Sequence, residues 1–227
     1  VKQQPWGPLG KLTVMNSQRL TLITVVIAVL VVLAAVIVPR LGPSATPATA
    51  EIDYASQPHI GNPDAPVKVA VFFDFLCPHC ASFSESEAPA IIRDFVDTGI
   101  ASYYYLNFPV IDPAVRSRYM AVLGECVYQQ SNDAFFTLEP IFMRAQNDIA
   151  RNTSRALDLA TQYAPELNAA QLRTCISTSA TGPDVNADEA AARAARITGT
   201  PSVLVNGVLV SNPSFAAISS AIEAAAK

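Results

Sequence analysis

The 227-residue sequence predicts an α/β fold: a small sheet with helices on both faces, split by a helical insertion and preceded by one apolar span. Three observations predict it. Between residues 67 and 108, an apolar strand runs into a helix and then a second strand, a βαβ unit. About 70 residues of helical periodicity follow without a strand signal. The chain closes on a longer helix, a β-hairpin and a terminal helix, which together complete a covered sheet.

The elements follow in order. Residues 20–38, LTLITVVIAVLVVLAAVIV, carry no charge. At about 1.5 Å per residue they cross roughly 28 Å, one bilayer core. A signal-peptide core is shorter, about 7–15 residues, so a retained anchor is preferred over cleavage near Ala48-Thr49-Ala50. Lys2, Lys11 and Arg19 precede the run and only Arg40 follows closely. That asymmetry predicts residues 1–19 in the cytoplasm and the rest outside, as a single-pass membrane protein. Residues 39–57, with Pro43 and Pro47, read as an extracytoplasmic linker.

Residues 67–73, VKVAVFF, read as a strand covered on both sides. Val67, Val69, Val71 and Phe73 share one face, and Lys68, Ala70 and Phe72 the other. A helix with Phe83, Ile91, Ile92 and Phe95 follows, kinked at Pro89 and ending near Gly99. Residues 100–108 form the second strand. Helices are expected over 116–129, 133–145, 154–163 and 169–179, the third capped by Asn152 or Thr153 and the fourth by Asn168. A further helix opens at Pro183 or Asp184. SVLV, Asn206-Gly207 and VLV then signal a two-residue hairpin. Pro213, after Asn212, is expected at the first position of the last helix.

All nineteen acidic residues lie from Glu51 onward, against eleven Lys and Arg, leaving about −8 on the outer part. That charge argues against nucleic acid as a partner and reads most simply as solubility. The four cysteines, Cys77, Cys80, Cys126 and Cys175, all follow the apolar span, where an oxidising compartment permits disulfides.

Cys77-Pro78-His79-Cys80 stands where a strand gives way to a helix. Unpaired N–H groups and the positive dipole end there stabilise a thiolate at Cys77. Pro78 suits the first turn because it has no N–H to lose. A protonated His79 would add positive charge. Stabilising the thiolate favours the reduced pair, by about 30 mV per pKa unit below ambient pH. The disulfide then becomes an oxidant, with Cys77 the attacked sulfur and Cys80 its resolving partner. A zinc half-site would need two further ligands, and a structural staple over so short a loop gains little. Asp74 and Lys68 are the nearest charged candidates for proton transfer at Cys80, Asp74 reading more readily as a cap of the loop. Phe75, Leu76 and Pro78 are candidates for an apolar substrate surface. Of Tyr103, Tyr104 and Tyr105, two are expected in the core.

Strand-DFLCPHC-helix, the Gly199-Thr200-Pro201 turn before SVLV and the helical insertion resemble the DsbA family of thioredoxin-fold thiol-disulfide oxidoreductases. The lead-in HIGNPDAPVKV, residues 59–69, resembles membrane-tethered members, and the whole is most similar to actinobacterial anchored DsbA-like proteins. The resemblance covers nearly all of residues 58–227. It implies a thioredoxin fold made of two separate segments, 58–111 and 183–227, with a helical domain inserted between them at 112–182. It further implies an exposed nucleophile at Cys77, a buried Cys80, a cis-proline at Pro201 facing them, and a Thr200 backbone offered to substrate. Thr200 stands where the best-known periplasmic oxidase has Val, which leaves the strength of the oxidant open. The acid that thioredoxin keeps six residues before its first cysteine is here Val71.

Cys126 and Cys175 are read as a structural disulfide closing a loop of about 50 residues, worth roughly 4 kcal/mol. Free buried thiols and a relay to Cys77 are the alternatives. The reading is an extracytoplasmic oxidoreductase that introduces disulfides into exported proteins, without cofactor or metal, and monomeric. The resemblance implies a membrane reoxidase of the DsbB or VKOR type as partner. A tethered reductase is the runner-up, and a metal-binding module at Cys77, Cys80 and His79 the rival of another class.

Overall fold

Apolar β-branched and aromatic runs dictate the sheet. Strands β1 (His59–Ile60), β2 (Val67–Phe73), β3 (Ala101–Asn107), β4 (Ser202–Val205) and β5 (Val208–Leu209) form one sheet in the order β1-β3-β2-β4-β5. The computed structural model describes Leu22, Val25–Ala28 and residues 52–227. Strands β2 and β3 pair in parallel, with Val71 beside Tyr105, and the other pairings are antiparallel. The period of two separates the faces. Val67, Val69, Val71 and Phe73 join Tyr103, Tyr105, Val203 and Val205 in the larger core. Ala70, Phe72, Tyr104, Leu106 and Leu204 meet Ala192, Ala195 and Ile197 on the other side. At the hairpin, Asn206 and Gly207 both take positive φ, 46° and 80°, as a type I′ turn requires.

Helix α1 (Pro78–Glu85) starts directly after the first strand of the βαβ unit, and α2 (Glu87–Ile91) continues it into a π-helical turn at Ile92–Val96. The single helix kinked at Pro89 is therefore not found. The break falls at Ser86, which has φ −116° and whose N–H returns to Ser82 and Phe83. Pro89 sits in the first turn of α2, where its missing donor is harmless.

The insertion comprises α3 (Arg116–Tyr128), α4 (Asn132–Arg144), α5 (Gln146–Arg151), α6 (Ser154–Tyr163) and α7 (Ala169–Thr178). Asn168 caps α7 by accepting from Ala170 and Gln171 N–H. Asn152, just before α6, accepts from Ser154 N–H. Helix α8 (Gly182–Ala194) leads back to the sheet, and α9 (Phe215–Ala225) ends the chain. Helix α9 opens two residues later than Pro213 suggests. Ser214 is its cap, accepting from Ala217 N–H.

Within the expected span, Leu22 and Val25–Ala28 are helical and exposed; the rest of 20–38, and the linker through residue 51, lie outside the described residues. Among the described residues no helix is long and apolar enough to cross a membrane.

Candidate active site

The chain leaves β2 at Phe73 and turns into α1 within four residues. Asp74 shapes that turn. Its Oδ1 accepts from Leu76 N–H and its Oδ2 from Val110 and Ile111 N–H, all at 2.8 Å, while its carbonyl accepts from Cys77 N–H at 3.0 Å. Both carboxylate oxygens are thus committed to backbone donors, which makes Asp74 a cap of the loop and not a proton carrier. Lys68 is no carrier either: its Nζ donates to the carbonyls of Pro63 and Ala65.

Cys77 is the N-cap of α1, in extended conformation, with Pro78 as the first helical residue. Cys80 lies one turn in, on the buried side. The two sulfurs are unbonded here. Cys80 is 0 % exposed. Cys77 is less open than the resemblance implies, at only 4 %. The reason is the Gly199–Pro201 turn: the Thr200–Pro201 peptide is cis, and the Thr200 carbonyl stands 3.4 Å from Cys77 Sγ.

The environment pulls the two thiols apart. The Cys77 thiol falls from 9.0 to about 5, first because the Cys80 thiol donates to its sulfur. Burial opposes this, and the Thr200 side chain and the backbone N–H groups of Cys80 and His79 add to it. Burial drives Cys80 far upward, and its bond to Cys77 does the same. The thiolate is therefore held first by a neighbouring S–H and then by the N–H groups of the helix N-terminus. The His79 backbone N–H contributes to holding the thiolate, and the His79 side chain is exposed. The Thr200 hydroxyl is buried without a hydrogen-bond partner, and sequence reasoning did not single it out.

The flanking surface also differs from expectation. Phe75 and Leu76 are buried, 2 % and 7 % exposed, and only Pro78 of the proposed apolar trio faces solvent. Phe75 packs against Tyr105, Phe135 and Phe142. Tyr103, Tyr104 and Tyr105 are all buried, rather than two of the three. What opens beside the cysteines is a groove of about 370 Å³, polar and apolar in near-equal measure, lined by His79, Ser82, Phe83, Glu87, Thr200 and Pro201 among others.

The insertion reaches the active-site loop through Gln146, at the start of α5. Its Nε2 donates to Cys77 O at 2.8 Å and to Phe75 O at 3.0 Å. No local signal marks this glutamine, because its partners lie 69 and 71 residues away. Cys126 on α3 and Cys175 on α7 are joined, with Cα atoms 6.0 Å apart.

A second polar cluster lies buried between α3, α8 and the end of β3. Asn107 Nδ2 donates to Glu125 Oε1 at 2.6 Å and Asp188 Oδ2 at 3.3 Å, and Gln57 Nε2 donates to Asp188 Oδ1 at 2.9 Å. Burial first, and the neighbouring acids second, push Glu125 up to about 8. Burial likewise pushes Asp188 up to about 7, against the bonds from Asn107 and Gln57. Among the described residues no set of three or more His, Cys, Asp or Glu side chains converges to hold a metal ion.

Residues 54–224 match the family described as Thioredoxin. The probable disulfide bond formation protein D of Bacillus anthracis is 28% identical over 200 residues, covering 87% of this chain and 91% of the relative. The oxidised BdbD structure from Bacillus subtilis superposes with a TM-score of 0.70 at 25% identity, covering 78% of this chain and 97% of that one. The DsbA structure from Chlamydia trachomatis gives 0.65 at 23% identity, over 80% and 96% of the two chains, a likeness of fold.

Proposed function

We infer, for a chain that belongs to the thioredoxin family and is a DsbA-like protein-disulfide oxidoreductase, that it works as an oxidase through Cys77 and Cys80 outside the membrane. The observation that carries this reading is the separation of the two thiols, Cys77 drawn down to about 5 and Cys80 driven far up. A thiolate stabilised in the reduced pair weakens the disulfide and makes Cys77 the better leaving group.

The steps follow. A substrate thiolate attacks Cys77 Sγ of the oxidised pair, the Cys77–Cys80 bond breaks, and Cys80 leaves with the electron pair and takes a proton. A second substrate thiolate attacks the substrate sulfur of the mixed disulfide. Cys77 leaves as the stabilised thiolate, and the substrate has lost two electrons to the pair. Reduced exported chains are the proposed substrates, and the mixed polar and apolar groove beside Thr200 suits an extended peptide. A membrane reoxidase of the DsbB or VKOR type would take the electrons on. The charge-free run 20–38 supports a membrane anchor with the N-terminus inside.

The experiment is a trap. Cys80→Ser should accumulate mixed disulfides with exported proteins, and Cys77→Ser in the same background should abolish them. Absence of any Cys77-dependent adduct would overturn the reading. The tethered reductase is tested by the glutathione equilibrium: a potential near thioredoxin's, about −270 mV, selects it over the oxidase.

A further inference from the structure

Expelling Cys80 as a thiolate creates a chemical demand. Cys80 is wholly buried, and its surroundings favour the protonated sulfur strongly. A proton must therefore reach it as the disulfide breaks, at a place that bulk water does not touch. Asp74 and Lys68 are committed elsewhere, as described above.

The far side of α1 offers a source. Ser84 lies one helical turn after Cys80, also on the buried side. Its Oγ donates to Glu139 Oε2 of α4 at 3.0 Å. Glu139 Oε1 is buried with no partner, and so is the Tyr105 hydroxyl. Both residues line one cavity of about 340 Å³, walled also by Tyr103, Phe136 and Pro140. A cavity of that size, with polar groups converging on it, has room for water. Burial first, and then the nearby Glu139 and Cys80, hold the Tyr105 hydroxyl protonated.

We propose that Glu139 is the proton store for Cys80, with the Tyr105 hydroxyl and cavity water passing the proton between them. This deepens the Cys77–Cys80 reading and rests on it. The step balances. As the S–S bond breaks, the Cys80 sulfur takes a proton relayed by water from Tyr105 Oη, which has no direct partner of its own, and Tyr105 regains one through cavity water from the Glu139 carboxylic acid. The Glu139 carboxylate then recovers a proton from solvent through the cavity. Other groups facing Glu139 are Ser84 from α1, Tyr103 from β3, Arg93 and Asp97 around the cavity mouth, and Arg144 on its own helix. Arg93 is engaged by Asp94. Burial outweighs Ser84 and Arg144 and raises Glu139 to about 7, near neutrality, where both donation and recovery are possible.

The test is stopped-flow reduction of the oxidised protein by dithiothreitol, with the rate expressed per dithiothreitol thiolate. In the native protein this rate should fall as pH rises through about 7, as Glu139 loses its proton. Glu139→Gln should remove that limb and slow the reaction about 100-fold below it. Tyr105→Phe should slow it similarly. In both, the ultraviolet titration of the Cys77 thiolate should stay in place, which a merely disrupted loop would not allow. A Glu139→Gln protein that keeps the limb and the rate overturns the proposal. Should that variant not fold, the native protein still decides: a normal solvent deuterium isotope effect below the limb supports the proposal, and its absence sinks it. The Cys80→Ser trap does not depend on Glu139, so failure of the proton store and failure of the cysteine pair are distinguishable.

Discussion

Replacing both Cys126 and Cys175 by alanine opens a loop whose ends are 49 residues apart. In the chain-entropy description a closed loop of that length removes about 14 cal/mol/K from the unfolded ensemble, roughly 4 kcal/mol at 25 °C. Cys126 is fully buried and Cys175 only partly, so the truncation adds a small cavity at one end alone. For a domain of this size the loss corresponds to a fall in Tm of roughly 10 °C. Urea unfolding followed by circular dichroism measures it, in a Cys77→Ser, Cys80→Ser background so that only one disulfide differs. A loss under about 1 kcal/mol would refute the loop-entropy reasoning. In the active background, the double alanine should leave the Cys77 titration and the exchange rate unchanged. A changed rate would make the pair a relay and not a staple.

Two further expectations concern buried polar groups. Gln146→Ala leaves the Phe75 carbonyl without its donor and should cost about 1–2 kcal/mol in urea unfolding; an unchanged midpoint would show that the glutamine does not hold the loop. Stability of the oxidised protein should fall as pH rises from about 4 to about 8, then level off. In that window the folded state keeps protons on Glu125 and Asp188 that the unfolded chain releases near pH 4, so unfolding releases protons. Glu125→Gln should flatten the slope in a melting series over pH, and a stability that rises across the window would contradict the raised acids.

What the sequence could show was local. The run VKVAVFF carries its own two-faced pattern, Asn206-Gly207 its own turn geometry, and Cys77-Pro78 its place at a helix start. The polar partners of the site were not local. Glu139 meets Ser84 across 55 residues, and Gln146 meets Cys77 across 69. Each reads as an ordinary polar position until the insertion folds onto the sheet. Glu125 carries no local mark either, because its meaning depends on Asn107 and Asp188. Phe75 and Leu76 misled for the same reason: beside a reactive motif they resemble a docking surface, yet the aromatic side chains of the insertion cover Phe75. The break at Ser86 has no strong local mark, because Pro89 is the more obvious breaker, and a proline in a first turn breaks nothing.

The most direct measurement is the pH titration of the reduced protein by thiolate absorbance, with Cys77→Ser as the blank. One sulfur should ionise with a midpoint near 5 while Cys80 stays protonated through neutrality. A single transition near the ordinary thiol value of about 8.5 would leave the pair without its driving force and contradict the account.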